Sequence, residues 1–188
     1  MNICVYCASS ENIDKAYLQA GEDFGEALAD NGHCLIFGAG KFGVMGAVAR
    51  GCRRKNGNII GVIPRFFDNI DVMFSDCRII HTTTMRERKE IMENRSDAFV
   101  MMPGGIGTFE EFFEILTLKQ LERHRKPIAI YNVKGYFDNM LGMLERAVSE
   151  GFMSQKCFKL FFVSDSKDEI LEYFNNYVPF SYDKYEKE

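Results

Sequence analysis

Along the chain, short apolar runs alternate with longer segments whose apolar positions recur at helical spacing. The alternation opens with a strand at residues 3–7 and a helix over about 15–31, then a strand at 33–37, a glycine loop and a helix over about 44–55. Residues 58–63 read as a strand that Pro64 closes, and 77–81 as a further one before a helix over about 85–95. A strand at 97–102 leads into a long helix that starts near Thr108 and ends at Lys126-Pro127. The remainder repeats the pattern with strand 128–133, helix 136–150, strand 160–163 and helix 167–176. Runs such as Ile128-Ala129-Ile130-Tyr131 are apolar on both faces, which suits a parallel sheet covered on each side by helices. Right-handed crossovers then give a doubly wound, Rossmann-like α/β fold of about seven strands with helices on both faces, in which ligands collect at the carboxyl ends of strands.

Composition narrows this picture without changing it. At 188 residues and 46% hydrophobic the chain suits one domain with a proper core, and no linker, repeat or low-complexity segment divides it. Residues 1–188 are therefore expected to form a single α/β domain. A net charge of −4 leaves no basic footprint for nucleic acid, and the only charge block is the short acidic and lysine tail at 183–188. The apolar opening at 1–7 is too short for a signal peptide, and no run approaches the ~18 apolar residues of a membrane helix. The expectation is a cytoplasmic protein with no membrane partner. Cysteines at 4, 7, 34, 52, 77 and 157 sit mostly in apolar runs, as buried reduced thiols do. In a strand, Cys4 and Cys7 face opposite sides, and no second cysteine pair or histidine pair completes a zinc set, so no metal is expected.

The densest chemistry lies at Met102-Pro103-Gly104-Gly105-Ile106-Gly107-Thr108-Phe109-Glu110-Glu111, where an apolar strand runs into a glycine loop, a hydroxyl and two carboxylates. Glycines let a ligand approach the backbone, and free N–H groups at a helix start attract an anion, most often phosphate. Carboxylates just beyond would repel that phosphate, so they suit an electron-poor part of the same ligand. Two readings of Glu111 stand side by side, because Thr108-x-x-Glu111 also spells a capping box worth about 1 kcal/mol to the helix. Glu110 and Glu114 could equally be acids favoured in a first helical turn. Thr117 shares a helix face with Glu110 and could reach the same ligand or simply face solvent.

A second loop, Gly38-Ala39-Gly40-Lys41-Phe42-Gly43, matches G-x-G-x-x-G between strand and helix, which raises a dinucleotide site. Such a fold also wants an acid at the end of the next strand, where this chain has Val62-Ile63-Pro64-Arg65. The bland alternative is a tight turn for close helix–strand packing. Neither loop is a Walker A motif, and no motif places a lysine for pyridoxal phosphate. No cofactor is expected. In Met85-Arg86-Glu87-Arg88-Lys89, the spacing of Met85, Arg88 and Met92 turns Arg88 toward the apolar side, where it needs an anion: a ligand or an acid elsewhere in the fold. Arg86 and Lys89 face solvent on this spacing, with Lys89 close enough to touch a ligand edge.

The sequence resembles the LOG ("Lonely guy") family of cytokinin riboside 5′-monophosphate phosphoribohydrolases, often labelled lysine decarboxylases. The resemblance spans almost the whole chain. It includes Ile3-Cys4-Val5-Tyr6-Cys7-Ala8-Ser9-Ser10, the stretch from Gly38 to Gly46, Gly61-Val62-Ile63-Pro64, Met85 through Lys89, and Ser96-Asp97-Ala98-Phe99. Pro103 to Glu111 matches the family signature P-G-G-x-G-T-x-x-E in full. What the resemblance implies is a nucleotide-binding domain that hydrolyses a nucleoside 5′-monophosphate to free base and ribose 5-phosphate. It implies Arg88 and Glu111 as catalytic residues, and Arg88, Lys89, Gly104, Gly105, Ile106, Gly107, Thr108, Glu110 and Thr117 as nucleotide contacts. Ser9 and Ser10 fall near the phosphate, and the assembly implied is a homodimer or larger, with residues of both subunits near the site. Three departures bear on base specificity: Ala39 within the usual Gly-Gly-Gly, Asp71 where plant members have glutamate, and Arg86 in place of a common histidine.

Breaking the N-glycosidic bond builds positive charge on ribose and negative charge on the base. Glu111 is expected to face C1′ and orient water, with Arg88 balancing charge opposite; a group of this kind is worth ~3 kcal/mol of barrier. No metal enters this scheme. Two rivals remain: a carrier that binds nucleotide on the same loop without chemistry, and an NAD-linked enzyme built on the Gly38 loop.

Overall fold

Period-two alternation along the strands sorts their side chains into two cores. The computed structural model describes residues 1–67 and 71–182, so the charged tail at 183–188 lies outside the described residues. In β1 (Asn2–Tyr6), Ile3 and Val5 join one core while Cys4 and Tyr6 join the other; β5 (Ala98–Met101) divides Ala98 and Val100 from Phe99 and Met101 in the same way. With β2 (Cys34–Phe37), β3 (Ile59–Pro64), β4 (Arg78–Thr82), β6 (Ile128–Tyr131) and β7 (Phe162–Ser164), they form one parallel sheet in the order β4-β3-β2-β1-β5-β6-β7.

Helices α1 (Lys15–Asp30), α2 (Gly43–Arg54) and α6 (Lys167–Asn175) close the first core with Phe24, Leu28, Val48, Ile170 and Phe174. On the other face, α3 (Met85–Arg95), α4 (Ile106–Gln120) and α5 (Asp138–Ser149) contribute Met92, Phe112, Ile115 and the partly buried Leu141 and Leu144. Each fully buried Phe or Leu among these stabilises the fold by about 1.5–3 kcal/mol. Where α1 crosses α2, glycine is needed for contact: a Cβ at Gly25 would stand 2.0 Å from the Val48 carbonyl oxygen. Cys4 and Cys7 lie in opposite cores and all six cysteines are free, with burial pushing the Cys4 thiol up to about 12. Among the described residues, no helix is long and apolar enough to cross a membrane.

Strand order places the site. β2, β3 and β4 step outward on one side of β1, and β5, β6 and β7 on the other, so the winding reverses between β1 and β5. Loops leaving the carboxyl ends of those two strands diverge there and open a crevice. They are tied at its base by Met102 N–H to the Tyr6 carbonyl at 2.9 Å and Ala8 N–H to the Pro103 carbonyl at 3.1 Å.

Several element ends depart from the sequence-based expectation. Helix α4 begins at Ile106 with Gly105 as its N-cap, two residues before Thr108, because Gly107 lies inside the helix. It stops at Gln120, well short of Pro127, where Glu122 adopts φ 58° and turns the chain. The strand expected at 160–163 starts at Phe162, because residues Gln155–Leu160 form a 3-10 turn capped by Ser154. The helix expected from 136 starts at Asp138, after a 3-10 turn at Val133–Gly135 with Lys134 at φ 56°.

Candidate active site

A cleft of about 600 Å³ lies over the β1–β5 crevice, within the range of small-molecule sites. Its polar side comes from Ser9 and Ser10 after β1 and from Gly105, Gly107 and Thr108 at the start of α4. Its apolar side comes from Phe42, Met45, Ile63, Phe67, Val72 and Met85, carried by the end of β3, the loops after β2 and β3 and the first turns of α2 and α3.

On the floor between the two sides, Arg88 Nη1 donates to Glu111 Oε1 at 2.7 Å. Their side chains are only 7% and 9% exposed, so the pair is shielded from bulk water. Arg88 arrives there because α3 starts one turn earlier in a tight cap. Thr84 Oγ1 accepts from the Glu87 N–H at 3.1 Å, and Glu87 Oε2 accepts from the Thr83 N–H at 2.6 Å. Arg88 Nε then donates to the Val62 carbonyl at 3.1 Å, anchoring the guanidinium to the end of β3. Burial raises the Glu111 carboxyl above its ordinary range, and the charge and hydrogen bond of Arg88 pull it back in part.

This arrangement removes the capping-box reading of Glu111. A capping box needs Thr108 at the N-cap, but that position is Gly105, Thr108 is the third helical residue, and Glu111 turns to Arg88. The inward arginine has found an acid, and the acid lines the cleft. Gly105 makes no side-chain cap, so the first N–H groups of α4 sit at the rim of the cleft without one.

The other expected contacts are distributed unevenly. Ser9, Ser10, Gly105, Gly107 and Thr108 line the cleft with Arg88 and Glu111. Gly104 packs beneath, since a Cβ there would stand 2.1 Å from Thr108 Oγ1. Ile106 points outward, 88% exposed. Lys89 pairs with Glu110 and, at 2.7 Å, with Glu114, on the outer surface between α3 and α4. Thr117 is exposed on that same outer side of α4. The structure of the single chain thus groups Lys89 with Glu110 and keeps both, with Thr117, away from the cleft it forms.

The Gly38 loop contributes through its shape. Gly40 N–H goes to Met45 Sδ at 3.2 Å and Lys41 N–H to the Val72 carbonyl at 2.8 Å, so these two donors are engaged within the protein. Asp71 pairs with Lys41 at 2.6 Å and is 94% exposed, and Arg86 is exposed on α3. Ala39 sits fully buried at φ 60°. Among the described residues, no three His, Cys, Asp or Glu side chains gather as a metal site. Sequence reasoning missed the apolar side of the cleft and the Thr84-x-x-Glu87 cap, although the cap spacing was there to be read.

The family model described as possible lysine decarboxylase matches residues 45–174. A protein of Oryza sativa subsp. japonica named probable cytokinin riboside 5′-monophosphate phosphoribohydrolase LOGL5 is 34% identical over 180 residues, covering 94% of this chain and 72% of its own. One of Arabidopsis thaliana, named cytokinin riboside 5′-monophosphate phosphoribohydrolase LOG2, is 32% identical over 178 residues, covering 94% of this chain and 84% of its own. Among solved structures, the molybdenum cofactor binding protein from Rippkaea orientalis matches with a TM-score of 0.71 at 20% identity, covering 93% of this chain and 94% of that one. The molybdenum cofactor carrier protein from Chlamydomonas reinhardtii matches at 0.68 and 20%, covering 91% and 93%. At such identities the likeness is one of fold.

Proposed function

This chain belongs to the LOG family of cytokinin riboside 5′-monophosphate phosphoribohydrolases, and on that premise we propose that it hydrolyses the N-glycosidic bond of a nucleoside 5′-monophosphate. The products are ribose 5-phosphate and a free base, either adenine or an N6-substituted adenine. The observation that carries this reading is the buried Arg88–Glu111 pair on the floor of a cleft whose rim is the start of α4.

The 5′-phosphate sits against the N–H groups of the 104–108 loop, with Ser9 and Ser10 beside it, and its binding energy holds C1′ over the floor. Glu111, nearly dehydrated, faces the oxocarbenium-like carbon and orients the attacking water. Arg88 balances the charge that leaves with the base. The apolar side receives the base and shields the reaction from bulk water. Lys89, Glu110 and Thr117 serve as nucleotide contacts in a homodimer or larger assembly, in which α4 of one protomer borders the cleft of another. The domain is proposed to span residues 1–188 and to work in the cytoplasm. The carrier alternative rests on likeness of fold alone.

Glu111→Ala tests the reading. The variant should still fold, with stability lowered because Arg88 loses its partner, and release adenine from AMP about a hundredfold more slowly, as expected for loss of one preorganised group. Unchanged turnover would reduce Glu111 to a partner of Arg88.

A further inference from the structure

The loop between β6 and α5 carries a hydroxyl to the back of the glycine loop. Asn132 braces it: its side-chain carbonyl accepts from the Phe137 N–H at 2.7 Å and its amide donates to Asp138 Oδ1 at 2.7 Å. Phe137, 1% exposed, is anchored in the second core. Tyr136 beside it stands edge-on to Tyr17 at 5.7 Å and to Phe137 at 4.9 Å, which fixes its ring. From that position the Tyr136 hydroxyl donates to the Gly104 carbonyl at 2.7 Å.

That bond controls a peptide plane. In a trans peptide, the carbonyl of one residue and the N–H of the next point in opposite directions. A Gly104 carbonyl held toward Tyr136 therefore turns the Gly105 N–H the other way, and Gly105 is the residue that lines the cleft. Two glycines in succession leave this plane little steric preference of their own. Around it, Thr108 and the Ala8 N–H crowd Gly104 so closely that a Cβ there would stand 2.1 and 2.9 Å from them.

We propose that Tyr136 is a positioning residue: its hydroxyl sets the Gly104–Gly105 peptide so that the Gly105 N–H is presented to the 5′-phosphate. This rests on the reading of the loop as a phosphate seat. Tyr136 does not line the cleft and has no contact with Arg88 or Glu111, so its effect falls on phosphate binding and not on that pair.

Tyr136→Phe removes one oxygen and keeps the ring between Tyr17 and Phe137. Calorimetric binding of ribose 5-phosphate reads the seat without requiring turnover. The expected result is affinity about tenfold weaker than wild type, the scale of one well-placed hydrogen bond, with a melting temperature lowered by no more than about 5 °C. With AMP as substrate, KM should rise by a similar factor while kcat holds, and any slow release of adenine from adenosine, which has no phosphate, should be unaffected. Equal affinity for ribose 5-phosphate in the two proteins would overturn the proposal, as would failure of the wild type to bind it. A tenfold loss in Tyr136→Phe with no adenine released from AMP by either protein would support the role of Tyr136 and overturn the hydrolytic function instead.

Discussion

Gly38→Ala is expected to disable the cleft without adding or removing a charged group. Gly38 follows β2, and a Cβ there would lie 2.1 Å from Arg88 Nη2, 3.3 Å from its Cζ and 3.2 Å from Met45 Sδ. A long arginine on a surface would step aside at little cost. This one is 6% exposed and bound at 3.1 Å to Val62 and 2.7 Å to Glu111, so retreat from the methyl group breaks its contact with the carboxylate. A charge-assisted hydrogen bond contributes about 1.5–3 kcal/mol, and a buried charge stripped of its partner costs about 3–5 kcal/mol. If ~3 kcal/mol of this is lost in the transition state, adenine release from AMP slows about a hundredfold. Chromatography of AMP digests gives the rate, and thermal melting shows whether the protein still folds. A second effect follows: without Arg88 beside it, Glu111 loses the neighbour that lowers its pKa, so the acid limb of the pH profile moves upward. Turnover within about threefold of wild type and an unmoved limb would refute the idea that a pinned arginine controls the carboxylate.

Two further outcomes depend on pH. Burial raises Glu111 above the ordinary 4.5 and the ionised form does the work, so kcat/KM for AMP should be held at higher pH and lost as pH falls through a pKa above 4.5; a limb centred at or below 4.5 would count against it. Lys119 lies 3% exposed with Nζ 2.7 Å from the Leu160 carbonyl and 4.9 Å from the Tyr177 ring centre, and burial lowers its pKa from 10.5 to about 8. Its charged form is disfavoured in the fold, so between those values the unfolded chain binds more protons and stability rises with pH. Relative to Lys119→Met, the wild type should gain up to about 3 kcal/mol across that window in urea melts, whereas a difference independent of pH would dispose of the buried cation.

The five inner strands were legible because parallel strands buried on both faces read as unbroken apolar runs, and the crossover helices separate them cleanly; the edge strands β4 and β7 are only partly buried and were placed by their position between helices. Helix ends were less so. Gly107 looks like loop but lies inside α4, and the stop at Gln120 depends on Glu122 accepting a left-handed turn that no glycine announces. Leu160, apolar and buried, reads as strand but closes a 3-10 turn. In the site, helical spacing alone turned Arg88 inward and the glycine loop marked a ligand. Their meeting could not be read from spacing, because Arg88 and Glu111 stand 23 residues apart on two helices that strand β5 separates in the chain. Phe42, Phe67 and Val72 were invisible for a similar reason: they come from connecting segments that carry no period, and the strand order brings them together.

The bond that is broken decides the reaction. Wild-type protein incubated briefly with AMP in oxygen-18 water should yield adenine and ribose 5-phosphate in equal amounts, with the label on C1 of the sugar. Intact nucleotide recovered from the protein, or a label found on phosphate instead, would contradict it.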